Sequence, residues 1–213
     1  RVISRAVSFK GLKRRDRLTE TDVVHYAPEP DRVKFVCELA ARWAALRGKA
    51  PGERRVALVL ANYPNRDGRL GNGVGLDTPA GALTVLKAMR KAGYRVEGIP
   101  ASGAALIERL LEGPTNDLRA LPGRKVDETL SMADYQFFFR DLPQAVQEAV
   151  IGRWGMPEED PFFRPGEVDC GRFAVPVFCL GNVAICLQPA RGYNIDPKSS
   201  YHDPALVPPH HYL

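Results

Sequence analysis

Arg55 to Ala61 reads RVALVLA, and Asn62 to Pro79 continues as NYPNRDGRLGNGVGLDTP. The first run is short, apolar and rich in β-branched residues, and it follows Pro51-Gly52. A run without polar alternation reads as a strand buried on both faces, the kind found in parallel sheets. The glycine-rich stretch reads as a long loop, and Thr78-Pro79 opens a helix with proline in its first turn. Leu83, Leu86 and Met89 give that helix an apolar stripe, Gly93 stops it, and Tyr94 to Ile99 reads as the next strand. Strand, loop, helix, strand is a βαβ unit. The expected fold class is therefore α/β: a three-layer, Rossmann-like parallel sheet with flanking helices. A proline-rich C-terminal segment with two short strands follows it.

Upstream, Asp31 to Arg47 reads as a helix, with Asp31 as its cap. Val33, Val36, Ala40 and Trp43 form a stripe, and Gly48 ends it. Downstream, Ser102 to Leu111, Ser131 to Arg140 and Pro143 to Trp154 read as helices. Nine of the 18 prolines fall between Pro157 and Pro209, around two strand-like runs, Arg172 to Val177 and Asn182 to Leu187. The expected organisation is a basic strand and loop segment over 1–30 and an α/β domain over 31–156, whose glycine-rich loop spans 62–78. A proline-rich segment over 157–213 completes it, truncated at its end.

The composition, 213 residues with 45% hydrophobic and 26% charged, excludes a disordered or fibrous chain. The net charge of +5 is local: residues 1–17 hold seven bases and one acid, while the rest holds 23 bases and 24 acids. A nucleic-acid surface spreads its bases over a face and adds stacking aromatics, so no nucleic-acid partner is expected. Lys13, Arg14 and Arg15 read as a solvated strand end or loop. No apolar run approaches the ~18 residues of a membrane span. The start lacks a signal-peptide pattern. The four cysteines form no C-x-x-C pair, which argues against a zinc ribbon and for single buried thiols in a reducing, cytoplasmic setting. The chain starts at Arg1 inside an apolar alternation and stops at His210-His211-Tyr212-Leu213, as a piece of a longer protein would.

Two segments could carry chemistry. The glycine-rich loop sits where α/β proteins place ligands, after a strand and before a helix N-terminus. Gly71, Gly73 and Gly75 would let backbone N–H groups approach an anion. Arg66 and Arg69 suit a carboxylate or phosphate, and Asp67 and Asp77 could orient them, take protons or meet a metal. The loop is neither G-x-G-x-x-G nor a P-loop, which leaves nucleotide binding weakly supported. A surface loop whose glycines serve turns is the competing reading. The second segment, QPARGYNIDPKSSYHDPALVPPHHYL (Gln188 to Leu213), gathers Arg191, His202, Asp203, His210 and His211. Histidine with carboxylate binds divalent metals or moves protons. The spacing matches no helical metal pair and by itself favours histidines hydrogen-bonded within an ordered loop.

Arg55 to Pro79, then GPTN (Gly113 to Asn116), then GNVAICLQPARGYNIDP and YHDPALVPPHHYL (Gly181 to Leu213) strongly resemble the CobN family of cobaltochelatase large subunits. The related magnesium-chelatase large subunits share the architecture, but the wording of the glycine loop is CobN-like. The resemblance implies ATP-dependent insertion of Co²⁺ into hydrogenobyrinic acid a,c-diamide, a step of cobalamin biosynthesis. It implies a corrinoid-binding subunit that works with an AAA+ ATPase, which holds ATP and Mg²⁺, and an integrin-like third subunit. It also implies continuation past Leu213 into a segment rich in His, Gly, Glu and Trp, so the chain alone is expected to be inactive. Gly81 stands where a serine is expected. Against that background the substrate-binding candidates are Arg66, Arg69, Asn72, Gly73 and Arg191. The catalytic candidates are Asp77 and His202, and the metal candidates are His202, Asp203 and His210. A structural or docking module that touches no substrate is the alternative, and an independent nucleotide-binding domain the weakest reading.

Overall fold

A computed structural model of the chain describes residues 5–11, 14–196, 203 and 205–213. The chain divides into two compact units, residues 1–50 and 51–213.

The first unit is small and largely exposed. β1 (Ser8–Lys10), β2 (Arg14–Arg15), β3 (Asp22–Val23) and β4 (Tyr26–Pro28) form two antiparallel pairs, β1 with β4 and β2 with β3. Arg14 and Arg15 thus lie on an exposed strand. α1 (Pro30–Gly48) follows, with Pro30 in its first turn. Its N-cap is Glu29 rather than Asp31, which sits in the first turn, where its charge favours the helix dipole. None of the α1 residues is buried. Two guanidinium–ring contacts tie α1 to the strand side, Arg32 over Phe9 at 4.9 Å and Arg5 over Phe35 at 4.6 Å.

The second unit starts with β5 (Val56–Leu60), the apolar run that decided the expected fold. α2 (Thr78–Lys91) and α3 (Gly103–Glu112) follow. Both helices start at side-chain caps: Asp77 accepts the Ala80 N–H at 3.0 Å and Ser102 the Ala105 N–H at 3.1 Å. The expected strand over 94–99 does not form. Only Val96 makes a bridge, to Gly181, and Gly98 at φ 59° turns the chain away before Pro100.

Next come β6 (Thr129–Ser131), α4 (Met132–Arg140), α5 (Gln144–Trp154), β7 (Phe163–Arg164), β8 (Arg172–Ala174), β9 (Val177–Leu180) and β10 (Val183–Leu187). β10 is the parallel partner of β5, in register from Val56 with Val183 to Leu60 with Leu187, and β9 pairs antiparallel on its other side. Alternate residues point to opposite faces. One face buries Leu60, Phe178, Leu180, Val183, Ile185 and Leu187 against Leu83 and Leu86 of α2 and Leu106 and Leu110 of α3. On β5 and β9 the other set includes Ala57, Cys179 and Val59, and Val59 is 60% exposed. The thiols expected to be buried are not: Cys37, Cys170 and Cys179 are exposed and Cys186 is half-buried.

The chain is therefore a mixed α/β protein with helices and several small sheets. The described residues lay helices on one face of this sheet, not the two faces that a three-layer Rossmann-like arrangement would require. β5 alternates in burial and is not covered on both sides.

A second core lies around α4, α5 and the antiparallel sheet β6-β8-β7. Met132, Tyr135, Phe139, Val150, Trp154, Phe162 and Phe173 fill it. The last residues of the chain return to this core: Leu206 and Val207 pack on it, and the Trp154 indole N–H donates to the Val207 carbonyl at 2.8 Å. His210, 1% exposed, sits against Tyr135 and Phe139. Its Nε2–H donates to the Gly155 carbonyl at 2.9 Å, which leaves Nδ1 to accept the Tyr135 hydroxyl at 2.6 Å. Burial, assisted by the nearby Asp160 charge, raises the Tyr135 pKa and keeps that phenol a donor.

Ile185→Ala would empty a fully buried position in the sheet core. It should destabilise the second unit by about 3 kcal/mol in urea unfolding. Tyr135→Phe removes the donor to His210 and leaves a buried nitrogen unmet. It should cost about 1–3 kcal/mol by the same measurement, although the ring and its packing are retained.

Candidate functional site

The carboxyl ends of the parallel strands β5 and β10 lie side by side, and both run into loops there. Open α/β sheets place ligands at such ends. The loops are fastened to each other by one side chain. Asn116 is 5% exposed. Its amide nitrogen donates to the Asn62 side-chain oxygen at 2.8 Å and to the Gln188 carbonyl at 2.8 Å. Its amide oxygen accepts the Ala190 N–H at 3.1 Å. Asn62 begins the glycine loop, and Gln188 and Ala190 begin the C-terminal loop. The two segments singled out in the sequence therefore meet, and the turn that joins them belongs to the GPTN stretch.

A second knot holds the middle of the glycine loop. Asp67 accepts the Thr115 hydroxyl on one oxygen at 2.6 Å and an Arg124 guanidinium nitrogen on the other. The Arg124 Nε is buried with no partner. Asp67 is thus a brace between the loop and the 115–124 segment. The Gly71 N–H donates to the Ala61 carbonyl at 2.7 Å, and Gly71 takes φ 63° to do so. That glycine closes the loop on itself rather than offering its N–H to an anion.

The other sequence candidates are spread out. Arg66, Arg69 and Asn72 are exposed, and Gly73 is half-buried beside Thr78. Asp77 is exposed and its Oδ1 is engaged as the α2 cap. Arg191 donates to the Asp203 backbone carbonyl at 3.4 Å, and the Asp203 carboxylate accepts the Ala205 N–H at 2.9 Å. His202 lies outside the described residues. His210, expected as a metal ligand, has both ring nitrogens engaged and keeps no lone pair for a metal as folded. Among the described residues no group of three or more His, Cys, Asp or Glu side chains could hold a metal ion.

Sequence reasoning missed a pair that the fold assembles. His211 and Asp160 form a buried hydrogen-bonded pair, with side chains 4% and 0% exposed. Nδ1 of His211 stands 2.8 Å and 3.0 Å from the two Asp160 oxygens. Asp160 also accepts the His211 backbone N–H at 3.1 Å and the Phe162 N–H at 2.9 Å. The two residues are far apart in sequence, and nothing in the spacing of either marks them. Of the two adjacent histidines the sequence points only to His210 as a metal candidate, and the structure gives the two different partners.

A cleft of about 140 Å³ opens among these loops. Asn65 of the glycine loop, Asn116, Tyr193, Asn194 and His211 line it together with Phe162. Gly192 on its wall is required by close packing: a Cβ there would stand 2.5 Å from the Ile195 side chain and 3.0 Å from Trp154. Larger hollows of about 480 and 440 Å³ lie between α3 and β9 and at the amino ends of β5 and β10. Neither gathers the loops that converge on Asn116.

Residues 1–213 match a family model described as CobN/Magnesium Chelatase. The chain is 53% identical over its full length to the aerobic cobaltochelatase subunit CobN of a Sinorhizobium species, and spans 16% of that protein. The chloroplastic magnesium-chelatase subunit ChlH of Oryza sativa is 28% identical over 181 residues, 84% of this chain and 12% of the relative. Among solved structures, the catalytic subunit of cobaltochelatase from Mycobacterium tuberculosis matches with a TM-score of 0.75 and 36% identity. That match covers 97% of this chain and 16% of the other. The chain thus spans about a sixth of the length of the cobaltochelatase relatives it matches, and it belongs to the CobN/magnesium chelatase family.

Proposed function

We propose that the chain is a segment of a cobaltochelatase large subunit and that its loop cluster forms part of the wall of a corrinoid pocket. The observation that carries this reading is the convergence of three loops on Asn116 at the carboxyl ends of β5 and β10. The parent protein would insert Co²⁺, its metal substrate, into hydrogenobyrinic acid a,c-diamide in the cytoplasm. ATP and Mg²⁺ would be used on an AAA+ partner, with an integrin-like third subunit in the assembly. Neither a nucleic acid nor a membrane is part of this reading, and no helix among the described residues is long and apolar enough to cross a membrane. The ligand chemistry is consistent. A corrinoid precursor is an apolar macrocycle ringed by carboxylates, and Arg66 and Arg69 stand exposed on the glycine loop, whose Asn65 lines the cleft. Metal insertion also requires ring N–H protons to leave, and an imidazole or carboxylate is suited to take them.

A second reading has its own support. Asp67, Asp77 and His210 are all engaged in bonds that hold the fold. A module that only braces the subunit or docks the ATPase would use them in the same way. Titration of the corrinoid into the full-length subunit separates the two. Arg66→Ala and Arg69→Ala touch no core and should each weaken binding about threefold, with the loss shrinking as salt rises. Unchanged affinity in both variants would favour the bracing module.

A further inference from the structure

The cleft at the carboxyl ends of β5 and β10 contains a buried polar atom that the protein leaves unmet. Nε2 of His211 has no hydrogen-bond partner, although the side chain is 4% exposed. The ring cannot turn to find one. Nδ1 is held by Asp160, and the ring stacks on Phe162 with centroids 4.4 Å apart and planes 29° apart. The Asp160 carboxylate takes donors from the Phe162 N–H and the His211 N–H besides the ring. A carboxylate at Nδ1 fixes the hydrogen of the neutral imidazole there, so Nε2 presents a lone pair. A buried unmet acceptor of this kind calls for a specific explanation.

The rest of the lining narrows the ligand. Asn65, Asn116, Tyr193 and Asn194 are neutral, and no Lys, Arg, Asp or Glu is among the lining residues. The Tyr193 phenol is pushed above its ordinary pKa by burial and by the Asp160 and Glu159 charges, so it stays a neutral hydroxyl. A carboxylate entering here would meet a lone pair and find no cation. A primary carboxamide has N–H donors for Nε2 and a carbonyl for a neutral donor.

We propose that this cleft is a subsite for a neutral primary carboxamide on the edge of the ligand, and that His211 is the residue that selects it over a carboxylate. Asp160 is a positioning residue that acts through the imidazole. The inference rests on the corrinoid reading above for the molecule that bears the carboxamide.

The test uses the full-length subunit and two ligands with the same ring, hydrogenobyrinic acid a,c-diamide and free hydrogenobyrinic acid, followed by equilibrium titration. The native subunit should bind the diamide at least about tenfold tighter, because a site built to accept an N–H rejects a ligand that lacks it. His211→Phe keeps a ring against Phe162 and should bring the two affinities within about threefold, mainly by weakening the diamide. His211→Gln returns an acceptor oxygen and should recover part of the preference. Equal affinities in the native subunit would overturn the subsite without any appeal to variants. So would an unchanged ratio in a His211→Phe protein whose unfolding midpoint matches the native one. Failure of the native subunit to bind either ligand would instead sink the corrinoid reading, and the subsite with it.

Discussion

A buried primary amide holds this part of the molecule together. Asn116 commits both amide hydrogens and its oxygen to three other backbone or side-chain groups: Asn62, Gln188 and Ala190. Each of those groups belongs to a loop that leaves a parallel strand. Parallel neighbours cannot be joined by a tight turn, so their carboxyl-end loops come from distant parts of the chain and need a cross-tie. An apolar residue at 116 would fill space but leave the Ala190 N–H and the Gln188 carbonyl without this partner in a buried setting, where unmet polar groups are expensive. The Asp67, Thr115 and Arg124 knot repeats the device one step further along the same loop. Thr115 and Asn116 are neighbours, so a single turn pins the glycine loop at two points.

Much of the fold was legible in the sequence because its signals are local. The helices starting at Asp77, Ser102 and Ser131 carry cap side chains that accept backbone N–H groups three residues on, and these can be read without tertiary knowledge. The apolar run at 56–60 was legible as a strand, but its partner was not. β10 lies far along the chain, and the segment after α2, which a simple βαβ unit would place beside β5, makes only the Val96 bridge. Gly98 in the left-handed region and Pro100 cut that segment short. The expected run over Arg172 to Val177 reads straight through Pro176, whereas β8 ends before that proline and a separate strand, β9, starts after it and runs on to Leu180. The one-sided cover of the sheet was likewise invisible, since small residues such as Ala57 and Ala184 satisfy either a buried or an open face.

The candidate site was legible as segments and not as residues. The glycine loop and the C-terminal loop both reach the cleft, yet the residues picked for their chemistry serve other ends. Carboxylates and histidines attract notice because they ionise, but the same capacity makes them good braces. Asp77 caps a helix and His210 bridges two elements of the second core. The residues that line the cleft are mostly amides and rings, types too common in loops to stand out.

The His210-His211 pair makes the distinction concrete. The two rings are adjacent in sequence and both are largely buried, yet their hydrogen-bond accounts differ. His210 finds a carbonyl for one nitrogen and a hydroxyl for the other, so the Gly155 turn and the Tyr135 side chain fix its tautomer and consume its chemistry. His211 finds a carboxylate for one nitrogen and nothing for the other. A 3₁₀ turn over His210–Tyr212 separates the directions of the two side chains and sends one into the second core and the other to the cleft wall. Sequence proximity therefore says little about shared function here. What differs is the number of partners each ring meets, and that number is set by Tyr135, Gly155 and Asp160, which lie on three other stretches of the chain.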